Sequence, residues 1–269
     1  MGRLFAIVAL LLGGAATAAG ADADEPVDLE LVLAVDVSRS IDSTEALLQR
    51  EGYIRAFRHP EVIRAIKGGA LGRIAVTYVE WSGVGHWRQI ASWQLVDGPE
   101  GAESLIAMMG QLAPALSRRT SISGAIDHSL RQFEGNGFAG TRRTIDVSGD
   151  GPNNDGLPVT MARDLAVAAG VTINGLPIVK DGGGVQSRYN IPDLDLYYEK
   201  CVIGGPEAFI VSAEGFDDFA RAVHKKLIRE IAGRSPPDPP RIVPAKATKR
   251  KRVAPSCLIG EKLRSEIED

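Results

Sequence analysis

Short, nearly unbroken apolar runs alternate along the chain with longer stretches whose apolar positions recur at helical spacing. Runs of the first kind read as strands buried on both faces, and the longer stretches as helices that cover them. Residues 29–36 form the first such strand, ending Leu33-Ala34-Val35-Asp36. Asp42 followed three residues later by Glu45 matches a capping box and opens a helix. That helix reaches His59-Pro60 with Leu47, Ile54 and Phe57 on one stripe, and a short helical piece follows over 61–67. Strands over 73–81 and 89–96 are joined through Ser82-Gly83-Val84-Gly85, short enough for a hairpin, so one of them is an antiparallel edge. Helices follow at 100–112, 122–133, 157–169 and 216–231, with a short one at 194–198. Strands are expected at 142–148, 171–179 and 207–212.

This alternation predicts an α/β fold: a single doubly wound, mainly parallel sheet with one antiparallel edge strand and helices on both faces. The folded domain is expected over residues 27–233. Past Gly233 the composition changes to a proline-rich linker at 235–240 and a basic run of Lys246, Lys249, Arg250, Lys251 and Arg252. Residues 234–269 therefore read as a disordered tail, whose positive charge could contact an anionic envelope polymer or membrane surface.

The N-terminus changes the picture of where the chain works. Met1-Gly2-Arg3, an apolar core over 4–12 and small residues up to Ala21 have the shape of a secretory signal peptide, residues 1–21. The apolar core is too short for a transmembrane helix, which needs about 20 residues, and no later stretch supplies one. A secreted or periplasmic protein without a transmembrane segment is expected. The net charge of −3 gives no electrostatic reason for a nucleic-acid partner. Cys201 and Cys257 show no metal spacing, and pairing or free thiols are equally open. His59, His86, His128 and His224 show no zinc spacing and read as surface or cap positions.

The candidate chemistry sits where the first strand gives out. Asp36, Ser38 and Ser40 alternate, so an extended backbone would aim their oxygens to one side. Ligands bind at the carboxyl ends of strands in open α/β sheets. An oxygen-only cluster of this kind suits a small divalent cation; the competing role is capping the next helix. Two further stretches lie at neighbouring strand ends. Thr120 heads a helix after Arg118 and Arg119, and Asp150 closes a central strand in Ser148-Gly149-Asp150-Gly151.

In order and approximate spacing, Asp36-x-Ser38-x-Ser40, Thr120 and Asp150-Gly151 resemble the metal-ion-dependent adhesion site of the von Willebrand factor type A domain. The order of elements over residues 27–231 is similar as well. Glu80-Trp81-Ser82 and the stretch from Asp146 to Asn154 resemble an uncharacterised branch of exported proteobacterial A-domain-like proteins, a domain of unknown function. Two positions depart from the usual pattern: arginines precede Thr120 where glycine is common, and Gly149 separates Ser148 from Asp150.

The resemblance implies a metal set of Asp36, Ser38, Ser40, Thr120 and Asp150. In it Ser38 and Ser40 ligate directly, Asp36 acts through hydrogen bonds or water, and Asp150 acts directly or through water. It implies Mg²⁺ or Mn²⁺, with Ca²⁺ less favoured, and an open coordination position for a Glu or Asp of a protein partner. Arg118 and Arg119 would either attract that acidic partner or be a solvated pair, and Asp146 would support the site from behind or face a groove. The expected function is a non-catalytic binding module. The alternative is a metal-dependent exported hydrolase using the ion as a Lewis acid, although no Gly-x-Ser-x-Gly elbow is present. A third reading is a structural domain whose site is idle.

Overall fold

The computed structural model describes residues 23–110, 119–179, 190–233 and 252–268. The expected signal peptide, Arg118, the proline-rich linker at 235–240 and the basic run before Arg252 lie outside the described residues. β1 (Glu25–Asp36) is the middle of the sheet. Leu29, Leu31, Leu33 and Val35 enter one apolar cluster, and Val32 and Ala34 enter the other. That is the two-sided burial which an unbroken apolar run predicts.

β1 pairs in parallel with β2 (Ile74–Trp81) on one side and β4 (Phe138–Gly149) on the other. β3 (Trp87–Val96) is the antiparallel edge beside β2, and β5 (Thr172–Val179) and β6 (Ala213–Glu214) continue in parallel beyond β4. The order is β3-β2-β1-β4-β5-β6. α1 (Ser43–Arg58), α2 (Pro60–Lys67), α3 (Pro99–Met109) and α7 (Phe219–Ala232) cover the face of Leu31 and Leu33. α4 (Ile122–Arg131), α5 (Val159–Ala168) and α6 (Leu194–Tyr197), which runs on into a π-helical turn at Tyr198–Val202, cover the other face. Among the described residues no helix is long and apolar enough to cross a membrane.

The capping box forms as expected. Asp42 accepts from Glu45 N at 2.8 Å, and Glu45 returns a carboxylate oxygen to Asp42 N at 2.9 Å. The buried side of α1 is Ala46, Gln49, Arg50, Tyr53, Ala56 and Phe57, while Leu47 faces solvent. The expected strand at 207–212 is instead an irregular segment. Asn174 Oδ1 takes the Phe209 N–H at 3.0 Å, leaving an isolated bridge between Gly175 and Ile210 before the two-residue β6.

The tail expected to be disordered over 234–269 is ordered at its end. Residues 252–268 carry α8 (Ile259–Glu268). Three anchors absent from the composition hold it: a Cys201–Cys257 disulfide, Arg252 on Asp193 and Asp195, and Ile259 and Leu263 against the core. Composition does not report a covalent bond.

Candidate metal centre

β1 ends at Asp36, and the chain then turns instead of continuing straight. Val37 N–H still donates to Trp81 O at 2.8 Å, while Ile41 N–H turns back to Ser38 O at 2.9 Å. Asp36 Oδ1 accepts the Ser38 N–H at 2.7 Å, and Gln49 Nε2 of α1 donates to the Asp36 carbonyl at 3.0 Å. The carboxylate thus builds the turn that carries both serines. Ser38 and Ser40 come together, with Oγ atoms 3.3 Å apart, through this turn and not through the extended alternation expected from sequence. The helix-cap role belongs to Asp42, which leaves these three oxygens for other work.

The other two loops meet them. Thr120 Oγ1 donates to Ser38 Oγ at 3.2 Å, and Ser40 Oγ donates to Asp150 Oδ1 at 2.6 Å. Thr120 is positioned by residues that spacing alone did not single out. Asn154 Oδ1 accepts the Thr120 N–H at 3.0 Å, Asn154 N–H donates to Thr120 O at 2.9 Å, and Asn153 Oδ1 accepts the Ser123 N–H at 2.9 Å. Both asparagines are cross-braces between the two loops. Gly149 is explained by contact. A Cβ there would lie 2.8 Å from Tyr198 Oη and 2.9 Å from Asp36 Oδ2. Only glycine lets the end of β4 close on the carboxylate.

Asp36 is fully buried, and its Oδ2 has no hydrogen-bond partner. Burial first, and then the Asp150 charge, push its pKa well above the usual carboxylate range, against hydrogen bonds from Ser38 and the Asp150 backbone. Burial and the Asp36 charge likewise raise the Tyr198 hydroxyl. Two carboxylates at a buried strand end, one with an unsatisfied oxygen, are a costly arrangement unless a positive charge joins them. The donor set is all oxygen. Its spacings of 2.6 to 3.3 Å bracket the roughly 3 Å between adjacent vertices of an octahedron with bonds near 2.1 Å. These residues fit a small hard cation.

Asp146 and Arg119 have other partners. Asp146 is buried with Lys226 Nζ 2.6 Å from its Oδ1, and Lys226 also pairs with Glu230 of α7. Arg119 pairs with Asp155 at 3.3 Å, and Arg264 of α8 meets the same carboxylate at 2.9 Å. Asp155 further accepts the Val84 N–H at 2.9 Å. Burial would raise its pKa, but the Val84 and Arg119 hydrogen bonds and both arginine charges outweigh it and hold Asp155 below the usual carboxylate range.

A doubly wound sheet of this strand order, with oxygen-bearing loops gathered at the carboxyl end of its central strand, has the von Willebrand factor type A fold. The chain belongs to the DUF1194 family, described as a protein of unknown function, whose model matches residues 26–235. No curated protein sequence matches it. Among solved structures, it is similar to proximal thread matrix protein 1 from the mussel byssus (TM-score 0.57, 16% identity, 78% of this chain and 50% of that one). It is also similar to the pilus adhesin SpaC from Lactobacillus rhamnosus GG (0.53, 13%, 77% and 31%). A von Willebrand factor type A protein from Catenulispora acidiphila gives 0.51, 13%, 76% and 43%. The chain spans half or less of each of these proteins, and at such identities the likeness is one of fold. Another structure of the mussel protein has a zinc-occupied MIDAS motif (TM-score 0.51, 12% identity, 77% and 46%).

Proposed function

We propose that this chain is an exported, non-catalytic binding module in which Asp36, Ser38, Ser40, Thr120 and Asp150 hold Mg²⁺ or Mn²⁺. The observation that carries the reading is the convergence of hydroxyls and carboxylates from three loops around a buried carboxylate oxygen that lacks a partner. Ser38, Ser40 and Thr120 offer neutral oxygens, Asp150 a carboxylate at the rim, and Asp36 the charge behind them. A bound divalent ion would supply positive charge and a coordination position for an outside oxygen. Five oxygen donors leave one of six octahedral positions, and we assign that place to a carboxylate oxygen of a Glu or Asp side chain of a partner protein. The Cys201–Cys257 disulfide supports an oxidising compartment, the periplasm or the exterior. With Arg119 committed to Asp155, attraction of the acidic partner falls to the ion itself.

Calorimetric titration of Mg²⁺ or Mn²⁺ into the protein and into Asp36→Ala and Ser38→Ala/Ser40→Ala variants tests the ligand set. Binding is expected to disappear in both variants while the circular dichroism is kept. Undiminished affinity would refute the assignment. Capture from an envelope extract with and without EDTA tests the partner: a protein retained only with the ion present is expected, and one retained equally in EDTA counts against the coordination role.

A further inference from the structure

A second group of ligating side chains lies away from the β1 rim, where the corner between α1 and α2 meets α7. His59 closes α1 and caps α2, Glu61 lies in the first turn of α2, and His224 reaches them from α7, far away in sequence. His224 Nε2 is 3.0 Å from His59 Nδ1 and 3.3 Å from Glu61 Oε2, and His59 Nδ1 is 3.9 Å from that oxygen. A tetrahedral zinc ion with bonds of 2.0 to 2.2 Å keeps neighbouring donors about 3.3 to 3.5 Å apart. The three separations bracket that spacing.

The pair of rings has a specific demand. Two ring nitrogens at 3.0 Å cannot both present lone pairs, so one proton has to sit between them. A divalent cation takes the place of that proton and satisfies both lone pairs and the carboxylate together. We propose that His59, Glu61 and His224 form a zinc site that staples the α1–α2 corner to α7. Two imidazoles and one carboxylate are a borderline-soft donor set that favours Zn²⁺ over Mg²⁺, in contrast to the all-oxygen cluster of the β1 rim. Side-chain exposures of 46%, 50% and 28% leave an entry path and a fourth position for water. The one exchange required is local: His59 Nδ1 gives up the Glu61 N–H, which it accepts at 3.2 Å, to solvent.

The test is a Zn²⁺ titration of the purified protein in excess Mg²⁺, with Co²⁺ as an optical probe. One Zn²⁺ per chain is expected, with tetrahedral Co²⁺ absorption that Zn²⁺ displaces. His224→Gln and Glu61→Gln should each weaken Zn²⁺ binding at least tenfold. His59→Asn should do the same while keeping a residue that caps α2. Asp36→Asn should leave it unchanged. Zn²⁺ binding that is as tight in His224→Gln as in the parent protein, or that disappears in Asp36→Asn, would overturn the assignment. Circular dichroism of each variant separates loss of the ion from loss of the fold.

Discussion

Gly260 lies so close to Asn153 that a Cβ on it would stand 2.0 Å from the Asn153 carbonyl oxygen. The contact seats α8 on the loop that follows Asp150. Asn153 Nδ2 donates to Glu261 at 2.8 Å, and Arg264 reaches Asp155 at 2.9 Å. The same Asn153 holds the start of α4 through Ser123. The C-terminal helix therefore braces two of the three loops that form the oxygen cluster.

Gly260→Ala should unseat this helix, because backbone cannot yield to a methyl group as a flexible side chain can. Overpacking of this kind costs about 1–3 kcal/mol. Expected are a lower melting temperature, faster amide exchange across 150–155 and weaker Mg²⁺ binding. A variant with unchanged exchange in that loop would show that α8 does not brace it.

Cys257→Ser tests the covalent half of the same anchor. The bond spans 56 residues, and closing a loop of that length is worth up to about 4 kcal/mol through the unfolded chain. The denaturation midpoint should fall in the variant, and reductant should lower it in the parent protein but not in the variant. Equal midpoints would mean that the remaining contacts of 252–268 suffice.

The fold was legible because apolar runs and helical stripes are written locally, and β1 through β5 appear where those runs are. The meeting of these oxygens was legible because the ends of β1 and β4 and the approach to α4 each carry polar residues at sheet-end positions. What holds the set in place was not legible. Asn153 and Asn154 look like any loop asparagines, and their braces to Ser123 and Thr120 depend on a contact between distant segments. Tyr198 and Gly149 gain their meaning only from closeness to Asp36. His59 and His224 show no spacing because nothing in sequence order brings α7 to the α1–α2 corner. The apolar stripe gave no warning that Lys226 would lie fully buried among carboxylates.

That lysine makes a pH prediction. Lys226 serves both Asp146 and Glu230, and one cation cannot neutralise two buried carboxylates. Burial and the Asp146 charge, opposed by Lys226, push Glu230 up to about 7. The native state thus keeps a proton that the unfolded chain loses near its ordinary value of about 4.3. Stability contributed by this proton is fully present below that value and is lost as pH rises towards 7. Urea midpoints measured from pH 5 to 7 should fall, and Glu230→Gln should flatten the trend. A midpoint that rises over this range in the parent protein, with the same slope in the variant, would contradict the sign.

Asp36→Asn separates the two duties of the residue at the end of β1. Asparagine keeps an oxygen for the Ser38 N–H but removes a buried charge that faces Asp150. Without an ion that charge destabilises the native state, so the variant should melt higher than the parent protein in EDTA. With Mg²⁺ the order should reverse. A ligand at a hundred times its dissociation constant stabilises by about 2.7 kcal/mol, and the variant should forfeit that gain. Paired thermal scans in EDTA and in Mg²⁺ decide it: a variant that is less stable in EDTA and still responds to Mg²⁺ would mean that the Asp36 charge serves the fold and not an ion.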